Sequence, residues 1–398
     1  MITHYRLIVG ESTGPMNATR AHLLSPQTIA LDGGLGETVR DWLGARAEAD
    51  RGPGRVLLHA PSFAFQSPGG GENQLIQTAR HLEDAGVGIR LFSPWTDRIE
   101  DYRLLHLFGM SREGLELARV ARRRGVPVVL SPICWLEPRA LLALGGGRAR
   151  GAWHLAKWTI KGVVPRIVGW RDALIREADA ILPNSSAEAD QLLRLFRAPA
   201  DRIHVVPNGV DARFESADPT LARSILGEAD FVLYVGRIEP RKNVLGLIEA
   251  TSQAGLPLVV MGDAPPGREG YLAHCREVGR DRVRWIGAVE HDDPLLSSAY
   301  AAARVFALPS WFETPGLAAL EAALAGTAVV LTPCGCTREY FGEGVEYARP
   351  DRVAAISEAL ARAWTDGPRP GLRARIRSQF LWTDVARRTA EAYDHVAR

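Results

Sequence analysis

Short apolar runs alternate with amphipathic stretches along most of the chain, from Arg55 onward. Each run is four to six residues long and mainly apolar throughout, as expected for parallel strands that are covered on both faces. The stretches between them place apolar residues three and four positions apart, for example in Glu72–Ala85, which predicts helices. The runs predicted as strands are Arg55–Ala60, Val87–Phe92, Arg103–Phe108, Pro127–Leu130, Ala180–Pro183, Phe231–Val235, Leu258–Met261, Val283–Ile286, Val305–Leu308 and Ala328–Leu331.

The alternation of strands and helices divides into two halves. It pauses at Asn208-Gly209, a turn-forming dipeptide, and restarts at Phe231. Because right-handed strand–helix–strand units build parallel sheets, each half is predicted to be a doubly wound α/β domain. We place the two domains at residues 55–208 and 209–380, with an extension of irregular pattern over 1–54 and a last segment over 381–398.

The composition excludes several classes of protein. The 398 residues are 46% hydrophobic and 24% charged, and a formal net charge of +2 gives no overall field that would attract nucleic acid. The four cysteines are irregularly spaced, and Cys334-Gly335-Cys336 lacks the spacing of a zinc site, so we expect reduced thiols. No signal peptide or membrane-spanning run is apparent, so a cytoplasmic protein is expected.

Backbone amides at the start of the first predicted helix form a candidate anion site. Three glycines, Gly69, Gly70 and Gly71, precede Glu72 where that helix begins. Without Cβ atoms, such residues let a phosphate group approach the positive end of the helix dipole closely. A flexible turn explains the same glycines equally well. Their spacing is not that of a dinucleotide fold, which disfavours a nicotinamide-dependent oxidoreductase.

Two basic side chains follow the first strand of the second half. Arg237 and Lys242 lie between Gly236 and a helix that starts near Asn243. Ligands of open α/β sheets bind beyond the carboxyl ends of the strands, and two cations at that place suit a diphosphate. A solvated basic loop is the commoner origin of such a pair.

Two glutamates eight residues apart follow a later strand. Glu313 precedes Gly316, and Glu321 lies inside the apolar helix that Gly316 opens. One carboxylate can bind sugar hydroxyls and the other a ribose diol, while the amides near Gly316 face phosphate. Alternatively, Glu313 is an ordinary acidic residue before a helix and Glu321 an ordinary glutamate within it. However, a carboxylate with only leucine and alanine neighbours, such as that of Glu321, is rarely without a role.

Together and in this order, the segments resemble the retaining glycosyltransferases of family 4. The resemblance runs from about Arg55 to the end of the chain. It implies the GT-B fold, in which two Rossmann-like doubly wound domains face a central cleft and the last helix crosses back onto the first domain. The segments that carry it are ADAILPNSSAEADQLL, RIHVVPNGVD, YVGRIEPRKNVLGLIEA, SWFETPGLAALEAALAGTAVVLTP, which contains an E-x7-E motif, and QFLWTDVARRTAEAYDHV.

The resemblance also implies a role for each matching position. The implied catalytic residues are Arg237, Lys242, Glu313 and His106. The implied nucleotide-binding residues are Gly70, Gly71, Gly316, Leu317 and Glu321. In these roles the two cations bind the diphosphate, Glu313 the donor sugar and Glu321 the ribose. His106, read as the end of a strand, would lie near the donor sugar; a packed strand histidine is the alternative.

The sequence departs from the family in two places. Residues 1–54 have no counterpart in the resemblance and are interpreted either as an extra element on the acceptor side or as an expendable tail. The segment Pro333–Phe341 resembles the proline- and glycine-containing loop of the family but carries two cysteines, which we interpret as packing residues.

The expected chemistry uses neither metal nor cofactor. Many sugar transferases hold a metal with a D-x-D pair, and no two aspartates have that spacing here. Arg237, Lys242 and helix N-termini can instead meet the negative charge that develops on the leaving phosphate. The resemblance implies retention of anomeric configuration, and no carboxylate is plainly placed as a nucleophile. We therefore expect a same-face reaction in which the leaving phosphate takes the acceptor proton.

The segment 151–176 mixes Trp, Ile and Val with Lys and Arg. That composition is typical of a helix that rests on an anionic membrane surface, so we expect peripheral contact with the inner membrane and a glycan or lipid-linked acceptor. A basic face lining the acceptor cleft and a solvated helix are the alternatives.

Two other functions fit the same fold. A nucleotide-sugar epimerase would need no acceptor, and the E-x7-E segment argues against it. A non-catalytic subunit would not need the basic pair and both glutamates. The donor base is expected to be read near Ile286–Val289, and uridine is favoured over guanosine only because it is the more frequent donor base.

Overall fold

The structure is a computed structural model that describes residues 42–46, 52, 54–62, 64–66, 69–138, 140–141, 156 and 169–397. Most of the predicted extension 1–54 and most of the basic segment 151–176 lie outside the described residues. Within the described part of the chain, no helix combines the length and the apolar character needed to cross a bilayer.

The N-terminal domain is built around a sheet of five parallel strands. They run in the order β2-β1-β3-β4-β5. Residues of β1, β3 and β4 are buried along their whole length, which explains why these strands are mainly apolar. The strands are β1 (Val56–His59), β2 (Ile89–Leu91), β3 (Leu104–Phe108), β4 (Val128–Ser131) and β5 (Ala180–Ile181). The helices are α1 (Gly70–Asp84), α2 (Arg112–Arg123), α3 (Trp170–Glu177) and α4 (Ser186–Phe196).

The C-terminal domain is built around a second parallel sheet, of six strands in the order β11-β10-β9-β6-β7-β8. Its strands are β6 (Val232–Val235), β7 (Leu258–Met261), β8 (Val283–Gly287), β9 (Val305–Leu308), β10 (Ala328–Leu331) and β11 (Glu346–Tyr347). Its helices are α5 (Thr220–Leu226), α6 (Val244–Ala254), α7 (Glu269–Gly279), α8 (Pro294–Ala302), α9 (Leu317–Ala325), α10 (Thr337–Phe341), α11 (Val353–Asp366) and α12 (Leu372–Gln379). The predicted fold, two doubly wound α/β domains, is confirmed.

Some boundaries differ from the sequence-based prediction for local reasons. Helix α2 begins at Arg112, because the Ser111 hydroxyl accepts a hydrogen bond from the Gly114 amide at 2.8 Å and caps the helix. Strand β5 is only two residues long. Strand β11 and helices α5, α10, α11 and α12 were not predicted.

The strand order of each sheet reverses direction at one point, and ligands of open α/β sheets bind in the crevice at such a point. In the N-terminal sheet the reversal lies between β1 and β3, and in the C-terminal sheet between β6 and β9. The loops that follow β6 and β9 carry Arg237, Lys242 and Glu313, so the topology brings three predicted site residues to one crevice.

The last helix, α13 (Trp382–Val396), returns from the C-terminal domain and packs against α1. The crossing is tight, because a Cβ on Gly209 would lie 2.7 Å from Cδ2 of Trp382. At the other end of α13, the Tyr393 hydroxyl lies 2.7 Å from Nδ1 of His106, and both side chains are buried. This bond ties the end of the chain to the middle of the N-terminal sheet.

Replacing Tyr393 with Phe should destabilise the protein by about 1–3 kcal/mol, because Nδ1 of His106 would lose its partner inside the core. Urea unfolding followed by circular dichroism measures the change. Arg387→Gln on the exposed side of the same helix breaks only surface pairs, with Glu391 and Asp384, and should change stability little. Equal stability of the Tyr393→Phe variant and the wild type would contradict this account of the crossing.

Candidate functional site

Glycines end three neighbouring strands of the C-terminal sheet. Gly236, Gly262 and Gly287 have φ values of 147°, 151° and 86°, a region that side chains rarely adopt. The ends of β6 and β7 approach closely, because a Cβ on Gly262 would lie 1.9 Å from the Gly236 carbonyl oxygen. This edge of the sheet therefore carries no side chain at three consecutive strand ends, and the close approach of β6 and β7 requires the glycine at 262.

Lys242 and Glu313 form an ion pair across the crevice between β6 and β9. The Lys242 ammonium donates to Oε1 of Glu313 at 2.7 Å, and the Glu313 side chain is 5% exposed. Burial works to raise the pKa of Glu313, but the positive groups of Lys242 and Arg241 outweigh it and hold that pKa below its ordinary value. Burial lowers the pKa of Lys242, although the facing carboxylate opposes the shift.

The backbone of Glu313 is held by the loop that follows β10. Its amide donates to the Cys334 carbonyl at 3.2 Å, and its carbonyl accepts from the Cys336 amide at 3.0 Å. Between them, Gly335 has a φ of 96°, and a Cβ there would lie 1.9 Å from the Glu313 carbonyl oxygen. The two cysteine positions thus contact Glu313 through their backbone, and all four cysteines of the chain are free thiols.

Arg241 links the two loops that carry the ion pair. Its guanidinium lies 5.2 Å from the Phe312 ring, and Nη1 lies 3.9 Å from Oε1 of Glu313. Nη2 binds Glu239 at 3.0 Å, and the Arg241 carbonyl accepts from the Trp311 amide at 2.9 Å. Arg241 therefore joins the loop after β6 to the loop after β9.

Glu321 is fixed by two side chains inside the C-terminal domain. Oε1 lies 2.9 Å from Nε2 of His291, and Oε2 accepts from the Tyr300 hydroxyl at 2.7 Å. Burial works to raise the pKa of Glu321, but His291 and Tyr300 outweigh it and hold the pKa below its ordinary value. Burial likewise opposes the charged form of His291, yet Glu321 and Asp292 raise its pKa to about 9.

Arg237 lies against the N-terminus of α1, in the other domain. Its Nη2 is 3.6 Å from Oε2 of Glu72, and a Cβ on Gly69 would lie 1.7 Å from the same nitrogen. Gly70 is the first residue of α1, and a Cβ on Gly71 would meet only the Ile133 side chain, at 3.7 Å. Arg237 therefore lies next to Glu72 and next to Gly69, the first of the three glycines of the candidate anion site.

Gly316 and Leu317 open helix α9 beside the ion pair. Gly316 has a φ of 95°, and a Cβ there would lie 3.5 Å from Cγ of Glu313. Leu317 is the first residue of α9 and packs against the apolar cores of both domains. The start of α9 thus lies next to Glu313 and at the junction of the domains.

His106 does not join the other predicted site residues. The predicted strand Arg103–Phe108 is present as β3, and His106 lies in the middle of it, not at its end. The side chain is 1% exposed, with Nδ1 on Tyr393 and Nε2 2.9 Å from Oγ of Ser131. Burial lowers its pKa to about 3, so the ring is neutral. Since both ring nitrogens are bonded within the core, His106 corresponds to the packed strand histidine that was the alternative interpretation.

The sequence-based prediction missed the side chains that hold Glu321. His291 lies in the loop after β8, at the carboxyl edge of the sheet where the predicted base-reading segment Ile286–Val289 also ends. Tyr300 comes from α8. The position of His291 at a strand end was a usable signal, whereas the Tyr300 contact depends on how α8 packs against α9.

Glycosyltransferase family models match both domains of the chain. A family model described as "Glycosyltransferase Family 4" matches residues 68–214, and one described as "Glycosyl transferases group 1" matches residues 229–366. A D-inositol 3-phosphate glycosyltransferase of Stackebrandtia nassauensis is 29% identical, over 86% of this chain and 92% of that protein. A glycogen synthase of Mycobacterium tuberculosis is 29% identical, over 71% of this chain and 73% of that protein.

Comparison with solved structures matches both domains together. A sucrose-phosphate synthase from Thermosynechococcus elongatus has a TM-score of 0.68 at 18% identity and covers 87% of this chain and 99% of its own. HepE from Anabaena, solved in complex with UDP, has a TM-score of 0.65 at 20% identity and covers 86% of this chain and 100% of its own. These structures share the GT-B fold. The two family models, which match both domains, show that the chain is a glycosyltransferase and belongs to family 4, the group 1 glycosyltransferases.

Proposed function

We propose that the crevice between β6 and β9 binds a nucleoside-diphosphate sugar, and that the chain transfers its hexose to a glycan or lipid-linked acceptor. The observation that carries the proposal is the buried pair of Lys242 and Glu313 at the point where the strand order reverses. A charged ammonium and a charged carboxylate at one buried place suit a ligand that presents phosphate next to sugar hydroxyls.

In this proposal, Arg237, Lys242 and the first amides of α1 bind the diphosphate. Negative charge grows on the leaving phosphate as the glycosidic bond breaks, and prearranged positive groups lower the energy of that state. Lys242 already donates to Oε1 of Glu313, so Oε2 is the oxygen that would accept a hydroxyl of the donor sugar. Glu321 would accept the ribose hydroxyls.

We propose UDP as the nucleotide and a UDP-hexose as the donor. The support is that HepE was solved with UDP and with UDP-glucose, on the same fold. A nucleotide-sugar epimerase and a non-catalytic subunit are the alternatives; the first would alter the sugar of the donor without any acceptor, and the second would bind nucleotide without turnover.

Replacing Arg237 with Met should lower kcat/KM for sugar transfer by about 100-fold or more, because one charge facing the leaving phosphate is lost. Arg237 is 36% exposed, so the variant should fold normally. Calorimetry with UDP should show weaker binding than in the wild type, which itself should bind. Arg223→Gln, in an exposed pair with Glu228 before the start of β6, is the matched control and should behave as the wild type. Equal activity of Arg237→Met and the control would contradict the proposed phosphate site.

We also propose that transfer retains anomeric configuration and requires no metal, since two cations face the proposed diphosphate site. The acceptor proton would pass to the leaving phosphate as the new glycosidic bond forms on the same face. Proton NMR of the product, from a reaction run with excess EDTA, tests both points. We expect full activity and a retained anomer; an inverted product would refute the same-face reaction, and loss of activity that Mg²⁺ restores would refute metal independence.

Finally, we propose a cytoplasmic protein that contacts the inner membrane surface through residues 151–176. The support is the sequence of that segment, together with Trp170 at the start of α3, which has Arg171 stacked on its ring at 4.3 Å. Vesicles of phosphatidylglycerol should co-sediment the protein and phosphatidylcholine vesicles should not. Equal recovery of the protein with both kinds of vesicle would refute the proposed contact with an anionic membrane.

A further inference from the structure

The loop between β8 and α8 connects Glu321 to the N-terminal domain. His291 in this loop lies 2.9 Å from Oε1 of Glu321 through its Nε2. The next residue, Asp292, accepts a hydrogen bond from Arg80 of α1 through Oδ2 at 3.1 Å. Of these two adjacent residues, His291 contacts the proposed ribose-binding carboxylate and Asp292 contacts a helix of the N-terminal domain.

The same loop is braced by Arg213, which follows the chain crossing between the domains. Arg213 donates through Nη1 to Oδ1 of Asp292 at 2.9 Å, and its Nη2 donates to the His291 carbonyl and lies 3.0 Å from Nδ1 of the His291 ring. The side-chain amide of Gln77, on α1, contacts the same Nδ1 at 3.5 Å. With these partners, His291 and Asp292 cannot shift independently of each other.

Helix α1 thus meets the C-terminal domain at two separate places. Its N-terminus meets Arg237 at Gly69, and Gln77 and Arg80 meet the loop two to three turns later. From Gly70 to Arg80 the helix rises about 15 Å. One helix of the N-terminal domain therefore contacts both the proposed diphosphate site and the residues that hold the proposed ribose site.

We propose that His291 and Asp292 are positioning residues that couple ribose binding at Glu321 to the contact between α1 and the C-terminal domain. This inference rests on the proposed function, because it takes Glu321 as the ribose ligand. His291 and Tyr300 each fix one carboxylate oxygen of Glu321, which sets the direction of the remaining lone pairs. When ribose hydroxyls occupy those lone pairs, Glu321 and His291 are held more firmly, and Asp292 with them.

Coupling of this kind must act in both directions, because linked binding free energies are reciprocal. Ribose binding should hold α1 more firmly on the C-terminal domain, and the contacts of α1 should in turn strengthen nucleotide binding. A loop with a purely structural role would affect the stability of the fold without changing nucleotide affinity.

The test measures UDP and GDP affinity by calorimetry for the full chain and for Arg80→Met, His291→Leu, His291→Gln and the double variant Arg80→Met/His291→Leu. Hydrogen exchange of residues 77–84 is followed with and without saturating nucleotide. Glu83→Gln is the matched control, since Glu83 lies on α1 and pairs with Arg46 instead of with the C-terminal domain.

We expect Arg80→Met to weaken nucleotide binding about fivefold or more, although Arg80 touches no part of the proposed ligand site. His291→Leu should weaken it further, and the double variant should bind no more weakly than His291→Leu alone, because both changes break one chain of contacts. His291→Gln, whose amide can still donate to Glu321, should recover part of the affinity. Nucleotide should slow exchange in residues 77–84 of the wild type but not of His291→Leu, and Glu83→Gln should match the wild type.

Unchanged affinity in Arg80→Met would overturn the inference, and so would effects that multiply in the double variant. Failure of the wild type to bind either nucleotide would instead count against the proposed function. Since calorimetry is run only on variants with native circular dichroism, and Arg80 is a partly exposed residue whose loss the fold should tolerate, the Arg80→Met result alone can decide the question.

Discussion

The buried ion pair of Lys242 and Glu313 is the interaction on which the arrangement of the site depends. Each charge would be costly to bury alone, and each compensates the other at 2.7 Å. The pair also joins the ends of β6 and β9, where the strand order of the C-terminal sheet reverses. Because the loops on both sides are additionally tied by Arg241 and by the backbone of residues 334–336, the two charged groups have little freedom to move apart.

Glu321, the second glutamate, is also buried, and different side chains stabilise its charge. Glu321 lies in an apolar helix, and a histidine and a tyrosine fix its two oxygens. The site thus consists of two buried carboxylates, each with its own compensating group, one in the loop before α9 and one in the middle of α9. Helix α1 of the N-terminal domain contacts the surroundings of both, through Gly69 at one end and Arg80 further along. This arrangement makes both domains part of one proposed donor site.

The sequence predicted the fold well and the site in part. Continuous apolar runs identify buried parallel strands, and polar residues at their carboxyl ends identify the ligand edge, so Arg237, Lys242, Glu313 and Glu321 could be named before their contacts were known. The contact of His106 with Tyr393 could not be predicted, because the two residues are 287 positions apart in the sequence and no local pattern indicates it. The roles of His291 and Gly69 likewise depend on which loop of one domain meets which helix of the other.

A crystal structure of the chain with UDP is the most direct test of the central claim. The account predicts diphosphate oxygens within about 3 Å of the Arg237 and Lys242 side chains, with the ribose hydroxyls on Glu321. UDP bound elsewhere, or bound in the crevice with its phosphates turned away from both cations, would contradict it.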